Sequence, residues 1–243
     1  MTAFADLHVP GDPLVLPNAW DHASAAMFAA AGFSAVGTTS LGVAAALGLP
    51  DGAAETADAT VDLVRRLEHL PLHVTADIEN GFSTDPAEVA AYVARLGPVA
   101  GVNLEDQLSD DHAAVIAAVA GGDVFINARI DTYWFGRPDL TETLERAKRY
   151  VDAGADGIFV PGVTDEREIA TLAEAIPLPL NVLFGAIPVP RLAALGVARI
   201  STGSLLYRVA LGGAERTAAA VRDGGSGFEA PDYATVDGLA TGR

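Results

Sequence analysis

LHVTADIENGFSTDPAEVAAYVARLG, residues 72–97, contains one complete strand-then-helix unit. Leu72–Asp77 is an apolar, β-rich run that ends in an acidic side chain, as expected for a buried parallel strand. Asp85–Glu88 (DPAE) is a helix start, because it supplies an N-cap, a proline at the first helical position and a capping-box glutamate. Apolar residues at helical spacing follow, and Gly97 ends the helix.

The same unit recurs along the 243 residues. Further helix starts stand at Asp139 with Glu142 and at Asp165 with Glu168. Eight short β-rich runs alternate with the helical stretches: Leu14–Pro17, Ala35–Thr39, Leu72–Asp77, Val99–Glu105, Val124–Arg129, Gly157–Val160, Leu180–Leu183 and Ala198–Thr202.

Alternation with short connections predicts right-handed βαβ units, and eight of them favour a single α/β (β/α)8 barrel over residues 1–222. An open, doubly wound sheet is the alternative. The sequence has no GxGxxG after the first strand and no GxxxxGK[ST], which weakens a nucleotide-binding version of that sheet. The Gly-, Asp- and Thr-rich residues 223–243 are interpreted as a loose tail or an arm packed on a partner subunit.

The formal net charge of −17 makes nucleic acid and anionic membrane surfaces improbable partners, because both would repel the chain. The absence of cysteine excludes disulfides, thiolate metal sites and cysteine nucleophiles. No apolar run approaches the roughly 20 residues of a membrane span, and the N-terminus has no signal-peptide pattern. We therefore expect a cytoplasmic protein.

In such a barrel, the functional candidates are the polar residues at the C-terminal ends of the strands. Asp51, Asp77, Glu79 and Glu105 follow neighbouring predicted strands and would meet at one rim. A cluster of carboxylates repels itself, so a cation is expected there, and all-oxygen ligands suit Mg2+ or Mn2+. The alternative is that each of them is only a helix cap or a solvated loop carboxylate.

Arg129 ends an otherwise apolar predicted strand and offers a fork that suits a carboxylate or an oxyanion. Its alternative role is a structural ion pair to Asp131 or Glu105. His112 lies near the start of a helix close to the rim and is a candidate for proton transfer, although exposed histidines at helix starts are common. Residues 133–134, Tyr and Trp, are candidates for covering a pocket or for packing beneath the helices.

Eight motifs in order resemble the isocitrate lyase / phosphoenolpyruvate mutase superfamily, and within it the phosphoenolpyruvate phosphonomutase-like and carboxyvinyl-carboxyphosphonate phosphorylmutase-like branch. Each motif is weak alone, but eight in the right order are specific. They are LPNAWDHASA (17–26), TTSLGVAAALGLPDG (38–52), TADIENGF (75–82), GVNLEDQ (101–107), NARIDTY (127–133), GADGIFVPG (154–162), PLNVLFG (179–185) and LGVARISTG (195–203).

The resemblance implies Mg2+ near Asp77, with Asp51, Glu79 and Glu105 as direct or water-mediated ligands. It implies that backbone N–H groups around residues 39–41 (Thr39, Ser40, Leu41) hold the carboxylate of a small 2-oxo acid. Arg129 would lie on an oxyanion, and Asn181 matches a substrate-contacting position. It also implies a homodimer or homotetramer in which the eighth helix is exchanged between subunits.

Two departures from the family pattern affect the expected activity. The family's lyases carry a catalytic cysteine on a mobile loop after the fourth strand, and here residues 105–109 run almost directly into the next helix. The position after the sixth strand, usually Glu or His, is Pro161. Both departures remove acid–base groups.

These departures favour a carbon–carbon lyase whose reaction needs only an electron sink, such as oxaloacetate-type decarboxylation through a metal-stabilised enolate. The alternatives are isocitrate lyase-like, phosphoenolpyruvate mutase-like or phosphonopyruvate hydrolase-like activity. A further alternative is a protein that binds metal and oxo acid without turnover.

Overall fold

The computed structural model describes residues 3–240, in which nine parallel strands form one sheet. The strands are β1 Leu14–Leu16, β2 Asn18–Ala19, β3 Ala35–Thr38, β4 His73–Asp77, β5 Gly101–Glu105, β6 Phe125–Arg129, β7 Gly157–Val160, β8 Leu180–Leu183 and β9 Arg199–Ser201. Their order is β1-β9-β8-β7-β6-β5-β4-β3-β2, so the first two strands lie at the two ends of the sheet. The ends of the sheet, β1 and β2, are separated in the chain only by Pro17, so the sheet curves into a near-closed barrel, and the predicted barrel is confirmed.

The helices that connect the strands are α1 His22–Ala30, α2 Ser40–Leu47, α3 Ala57–Leu67, α4 Pro86–Arg95, α5 His112–Val119, α6 Leu140–Asp152, α7 Glu166–Ala175, α8 Val189–Ala194, α9 Leu205–Arg222 and α10 Tyr233–Leu239. A 3-10 helix, Ala5–Leu7, precedes β1. No helix within residues 3–240 is long and apolar enough to cross a membrane.

The first predicted strand, Leu14–Pro17, is divided in the structure. Pro17 has no N–H to donate to the sheet, so β1 ends before it and β2 begins after it. Asn18 then joins the two ends of the sheet, because its Oδ1 accepts the backbone N–H groups of Thr202 (3.0 Å) and Gly203 (2.9 Å). Its Nδ2 donates to the carbonyl oxygen of Thr38 at 2.6 Å.

The predicted helix starts are present, but the capping box at α4 is not as expected. The Asp85 carboxylate accepts the N–H of Ala87 at 2.8 Å, as an N-cap should. Glu88 does not return to the cap, because it accepts the hydroxyl of Ser83 at 2.6 Å instead. At α6, Asp139 accepts the N–H of Glu142 at 2.9 Å.

The segment between Thr39 and Asp51 contains α2, a helix that the alternation of predicted strands and helices did not include. Thr39 is the N-cap, and Gly48 ends the helix at φ 72°. The helix SLGVAAAL is apolar on nearly every side and therefore lacks the periodic stripe that marks a surface helix. The capping residues Thr39 and Gly48 were the only features of the sequence that could have indicated this helix.

The main hydrophobic core lies between the sheet and the outer helices and includes Ile78, Leu104, Ile126, Ile158 and Leu172. A smaller cluster of Phe4, Leu14, Leu16, Ala35 and Phe125 fills the N-terminal end of the barrel. The interior is therefore closed at one end, and the functional site must lie at the other. Beyond Arg222, α10 lies close to α1; the subunit-packing role of this segment stays a prediction.

Candidate functional site at the C-terminal end of the barrel

A cavity of about 480 Å3 opens at the C-terminal ends of the strands. Its lining brings together eight residues expected from the sequence: Thr39, Ser40, Leu41, Asp51, Asp77, Glu79, Glu105 and Arg129. They come from β3 to β6 and the segments that follow these strands, because parallel strands deliver all their C-terminal ends to the same rim.

Asp77 lies at the end of β4, and its Oδ2 accepts the backbone N–H of Ser40 at 3.2 Å. Burial raises the pKa of Asp77, an effect that Arg129 opposes. Of the first N–H groups of α2, that of Ser40 goes to Asp77 and that of Gly42 to the Thr39 hydroxyl. This leaves the N–H of Leu41, among the residues described, available to a ligand.

Glu79 holds the loop that precedes α3. Its Oε1 accepts the hydroxyl of Thr56 at 2.8 Å, and its Oε2 accepts the N–H of Ala54 at 3.2 Å. The side chain is 2% exposed, and burial raises its pKa. Its φ of 51° is unusual for a residue other than glycine. The backbone at Glu79 is therefore strained, and the hydrogen bonds of the side chain help to maintain this conformation. Glu79 thereby positions the loop that carries Asp51.

Glu105 and Arg129 are directly paired across β5 and β6. Arg129 Nη1 lies 2.7 Å from Glu105 Oε2, and Arg129 Nε donates to Asp131 Oδ1 at 2.7 Å. Gln107 Nε2 donates to the other Glu105 oxygen at 3.0 Å. Burial raises the pKa of Glu105 to about 7 even though Arg129 favours its charged form. The structural ion pairs considered for Arg129 are therefore present, and the residue also faces the cavity.

The carboxylates fit a divalent cation that keeps most of its water. No three acidic or histidine side chains within residues 3–240 stand close enough together to hold a metal ion by themselves. Both oxygens of Glu79 and of Glu105 are engaged by other residues, whereas Asp77 is bonded, within residues 3–240, to Ser40 alone, and Asp51 is exposed at the rim. Mg2+ takes few direct carboxylates and several waters, so Asp77 is the best-placed direct ligand and the others suit water-mediated roles.

His112 and Asn181 do not line this cavity. His112 begins α5 as predicted but is 3% exposed, and its ring packs edge-on against Tyr150 at 5.4 Å. Burial also lowers its pKa. Asn181 lies inside the barrel on β8, where its Oδ1 accepts the Ser201 hydroxyl at 3.3 Å. A role for either residue in proton transfer or substrate contact stays a prediction.

The connection between β5 and α5 is short, as expected, and runs from Asp106 to Asp111. Gln107 and Leu108 have φ values of 45° and 61°, and the Gln107 N–H donates to Asp131 Oδ2 at 3.1 Å. Asp106 anchors the turn from below, because it accepts the Tyr150 hydroxyl at 2.7 Å. A connection fixed in this way is a poor candidate for a mobile lid.

Sequence reasoning missed several residues that line the cavity. Gln107 was quoted in a motif without a role, although it lies only two residues after Glu105. Trp134 was not missed: it was a candidate for covering a pocket, it lines the cavity, and its ring centroid lies 5.3 Å from the guanidinium carbon of Arg129. Arg208, on the first turns of α9, is a second cation in the lining and forms no ion pair with any residue the structure describes.

A polar layer lies inside the barrel, and its main member was also missed. Arg199 is completely buried and reaches from β9 to β5 on the opposite side, where Nη2 donates to Asn103 Oδ1 at 3.1 Å. Asn127 Nδ2 donates to the same oxygen at 2.8 Å. Burial lowers the pKa of Arg199 to about 9, and Asp77 acts against that lowering. A buried cation therefore shares the barrel interior with the carboxylates.

Comparison with known proteins gives a consistent result over most of the chain. The family model described as phosphoenolpyruvate phosphomutase matches residues 4–222. The chain is 47% identical over 236 residues to the uncharacterized protein Rv1998c of Mycobacterium tuberculosis, covering 91% of this chain and 90% of that protein. It is 32% identical over 198 residues to 2-methylisocitrate lyase of Bacillus subtilis, covering 73% of this chain and 64% of the lyase.

Among solved structures, a proposed phosphonomutase from Burkholderia cenocepacia J2315 is 38% identical, with a TM-score of 0.83 and coverage of 92% of this chain and 97% of that one. At 21% identity, phosphonopyruvate hydrolase in complex with oxalate and Mg2+ shares the fold, with a TM-score of 0.83 and coverage of 99% and 94%.

Proposed function

The chain belongs to the phosphoenolpyruvate mutase / isocitrate lyase superfamily, and from that premise we propose that it is a Mg2+-dependent carbon–carbon lyase acting on a small 2-oxo acid. One observation carries the proposal: a single cavity is lined by Asp77, Asp51, Glu105 and Arg129 together with the start of α2. A relative with the same fold has been solved with oxalate, a planar mimic of an enolate, and Mg2+.

Each of these residues has a role in holding the substrate. Asp77 would hold the cation, and the Leu41 N–H at the start of α2 would receive the substrate carboxylate. Arg129 would direct the guanidinium N–H groups that Glu105 and Asp131 do not use at the keto oxygen, where negative charge grows as the bond beyond C3 breaks. Bound Mg2+ would supply Lewis-acid stabilisation of that same charge. Glu105 and Asp131 fix the guanidinium in place, so little reorganisation is needed during the reaction.

The titratable groups in the cavity favour decarboxylation over other carbon–carbon cleavages. Among the described residues, its lining contains no histidine, lysine, cysteine or tyrosine, the oxygens of Glu79 and Glu105 are engaged by other residues, and Pro161 follows β7. A retro-aldol cleavage needs a base for the substrate hydroxyl, and a phosphoryl migration needs a positioned acceptor. Loss of CO2 from a 3-carboxy-2-oxo acid such as oxaloacetate needs neither, because the electron pair passes directly into the enolate.

The connection after β5 also predicts the product. Because the six residues 106–111 are too few for a covering lid, water reaches the enolate and protonates it at C3. The products are then CO2 and a simple 2-oxo acid. Turnover is modest, since water weakens the electrostatic stabilisation by Arg129.

The test is to incubate the protein and Mg2+ separately with oxaloacetate, isocitrate, methylisocitrate and phosphonopyruvate. Enzyme-dependent CO2 release from oxaloacetate that is lost in Asp77→Ala supports the proposal. Efficient cleavage of isocitrate, or conversion of phosphonopyruvate to phosphoenolpyruvate, contradicts it. Tight binding of oxalate with no turnover of any of the four compounds would instead indicate a binding protein.

A further inference from the structure

The cavity has two chemically different halves. The carboxylates come from β4, β5 and the loop that follows α2, on one side of the rim. On the other side, the segment after β6 and the ends of β7 and β8 contribute apolar side chains, and Leu205 adds to them from the start of α9, whose neighbours in the lining are polar (Ser201, Thr202, Ser204 and Arg208). We call the apolar side chains the apolar wall: Trp134, Phe135, Phe159, Pro161, Leu183, Phe184 and Leu205. Arg129, at the end of β6, stands at the boundary between the two halves.

Three aromatic side chains of the apolar wall are exposed to solvent. Trp134 and Phe135 are each 52% exposed, and Phe184 is 36% exposed. Single exposed apolar residues are common on protein surfaces, but three exposed aromatic side chains that line one cavity are typical of a ligand site. The exposure of these three side chains is therefore better explained by a bound ligand that covers them than by the ordinary scatter of apolar residues on a surface.

The aromatic residues after β6 are held in place. The N–H of Phe135 donates to the carbonyl oxygen of Asp131 at 3.0 Å, and the N–H of Gly136 donates to that of Tyr133 at 3.1 Å. The Trp134 ring lies against the Arg129 guanidinium. A wall fixed in this way is already formed before a ligand arrives, so binding to it costs little conformational entropy.

The volume exceeds what a minimal 2-oxo acid needs. About 480 Å3 lies within the range of pockets that hold drug-sized ligands, which are much larger than a three- or four-carbon acid. The carboxyl and keto groups would use only the carboxylate side and the start of α2. With those groups bound there, a substituent on C3 would extend away from the cation, into the part of the cavity that the apolar wall lines.

We propose that the substrate is a 2-oxo acid whose C3 carries an apolar substituent, an alkyl chain or an aromatic ring, and that this substituent packs on the apolar wall. The inference rests on the proposed function, because the oxo-acid group must bind at Asp77 and Arg129 for C3 to face Phe184 and its neighbours. It adds that selectivity arises from β6 to β9 and not from the metal side.

The test compares oxamate with N-butyloxamate and N-benzyloxamate in the presence of Mg2+. These probes keep the planar carboxylate and carbonyl of a 2-oxo acid and add an apolar group where C3 would carry it. Each methylene removed from water is worth about fourfold in affinity, so N-butyloxamate should bind about tenfold tighter than oxamate or better by titration calorimetry. The double variant Phe135→Ala/Phe184→Ala should reduce this ratio to about threefold or less.

Phe228→Ala is the matched control, because Phe228 is 43% exposed but does not line the cavity, and it should keep the full ratio. Equal affinities of oxamate and N-butyloxamate for the unmodified protein would overturn this inference and leave the proposed function standing. A full ratio in the double variant, with or without a change in oligomeric state, would overturn the role of the wall. If neither oxalate nor oxamate binds with Mg2+, the proposed function fails, and this inference fails with it.

Discussion

At the scale of single residues, Asp77 differs from its neighbouring carboxylates in the use of its oxygens. Within residues 3–240 its hydrogen-bond partners are the N–H and the hydroxyl of Ser40 alone, whereas the two oxygens of Glu79 hold two separate residues, Thr56 and Ala54. We predict that Mg2+ at 100 times its Kd stabilises the protein by about 2.7 kcal/mol and raises its Tm by about 5 °C or more. Asp77→Ala should abolish this rise in a thermal melt. Asp62→Ala, at an exposed carboxylate on α3, should keep it.

Arg129 combines a structural role with a proposed catalytic one, and Arg129→Lys separates the two. Lysine keeps the charge but loses the fork that pairs with Glu105 and Asp131 at the same time. We predict that oxalate affinity in the presence of Mg2+ falls by about 1–3 kcal/mol, measured by calorimetry on folded protein. A loss of thermal stability with unchanged oxalate affinity would show that Arg129 serves only the ion pairs.

The raised pKa of Glu105 makes the metal-free protein sensitive to pH. Its folded pKa of about 7 lies above the ordinary 4.5, so between these values the folded state binds more protons than the unfolded state. The stabilisation is complete below about pH 4.5 and is lost as the pH rises through 7, by at most about 3 kcal/mol. Urea unfolding in EDTA at pH 5 and pH 8 should show this loss. Glu105→Gln should make the difference smaller; an unchanged difference would contradict the assignment.

At the scale of elements, the site depends on loops that are tied to strands. The loop before α3 carries Asp51 and is held by Glu79 through Thr56 and Ala54. In Glu79→Gln, the new amide nitrogen cannot accept the Ala54 N–H, so we predict a loss of about 1–2 kcal/mol of local stability. Hydrogen exchange at residues 52–56 should become faster, while exchange in α6 stays unchanged. Equal exchange at both places would mean that Glu79 does not hold this loop.

The connection after β5 illustrates how an element can change chemistry without changing the fold. Its residues are fixed by Asp131 and Asp106, and two of them adopt left-handed backbone angles. These contacts fix a short turn. The family's lyases are expected to have a longer, mobile loop at this place, which carries acid–base groups to the substrate. The expected preference for decarboxylation therefore belongs to this element, not to any one side chain.

At the scale of the whole molecule, α9 has an exposed apolar surface. Tyr207 is its only buried residue within the described chain, while Val209, Leu211 and Val221 are 57%, 53% and 56% exposed. Exposed apolar surface of this kind favours association, so we predict a homodimer or homotetramer in which α9 packs on a partner. Val209→Asp/Leu211→Asp should shift sedimentation velocity to smaller species, and Glu215→Gln on the same helix should not. α9 follows the last predicted strand, Ala198–Thr202, and is therefore the eighth helix of the expected barrel; a monomeric unmodified protein would contradict its exchange between subunits.

The sequence alone determined the layout of the barrel and the position of the site. Strand and helix periodicity is local, so it can be read in each segment, and parallel strands bring their C-terminal ends together whatever the details. This logic collected Asp51, Asp77, Glu79, Glu105 and Arg129 at one cavity. The same reasoning did not predict α2, because a helix that is apolar on all sides lacks the alternation of apolar and polar faces that marks a surface helix.

Only the tertiary structure decided what each of these groups does. Whether Glu79 faces a cation or holds a loop depends on a 2.8 Å contact with Thr56, 23 positions away in the chain. The contact of Arg199 with Asn103 joins residues 96 positions apart. Hydrogen bonds fail over a few tenths of an ångström, and the separation of the carboxylates from the apolar wall depends on strand order around the barrel. The spacing of residues along the chain specifies neither these hydrogen-bond distances nor the strand order, so both became known only from the tertiary structure.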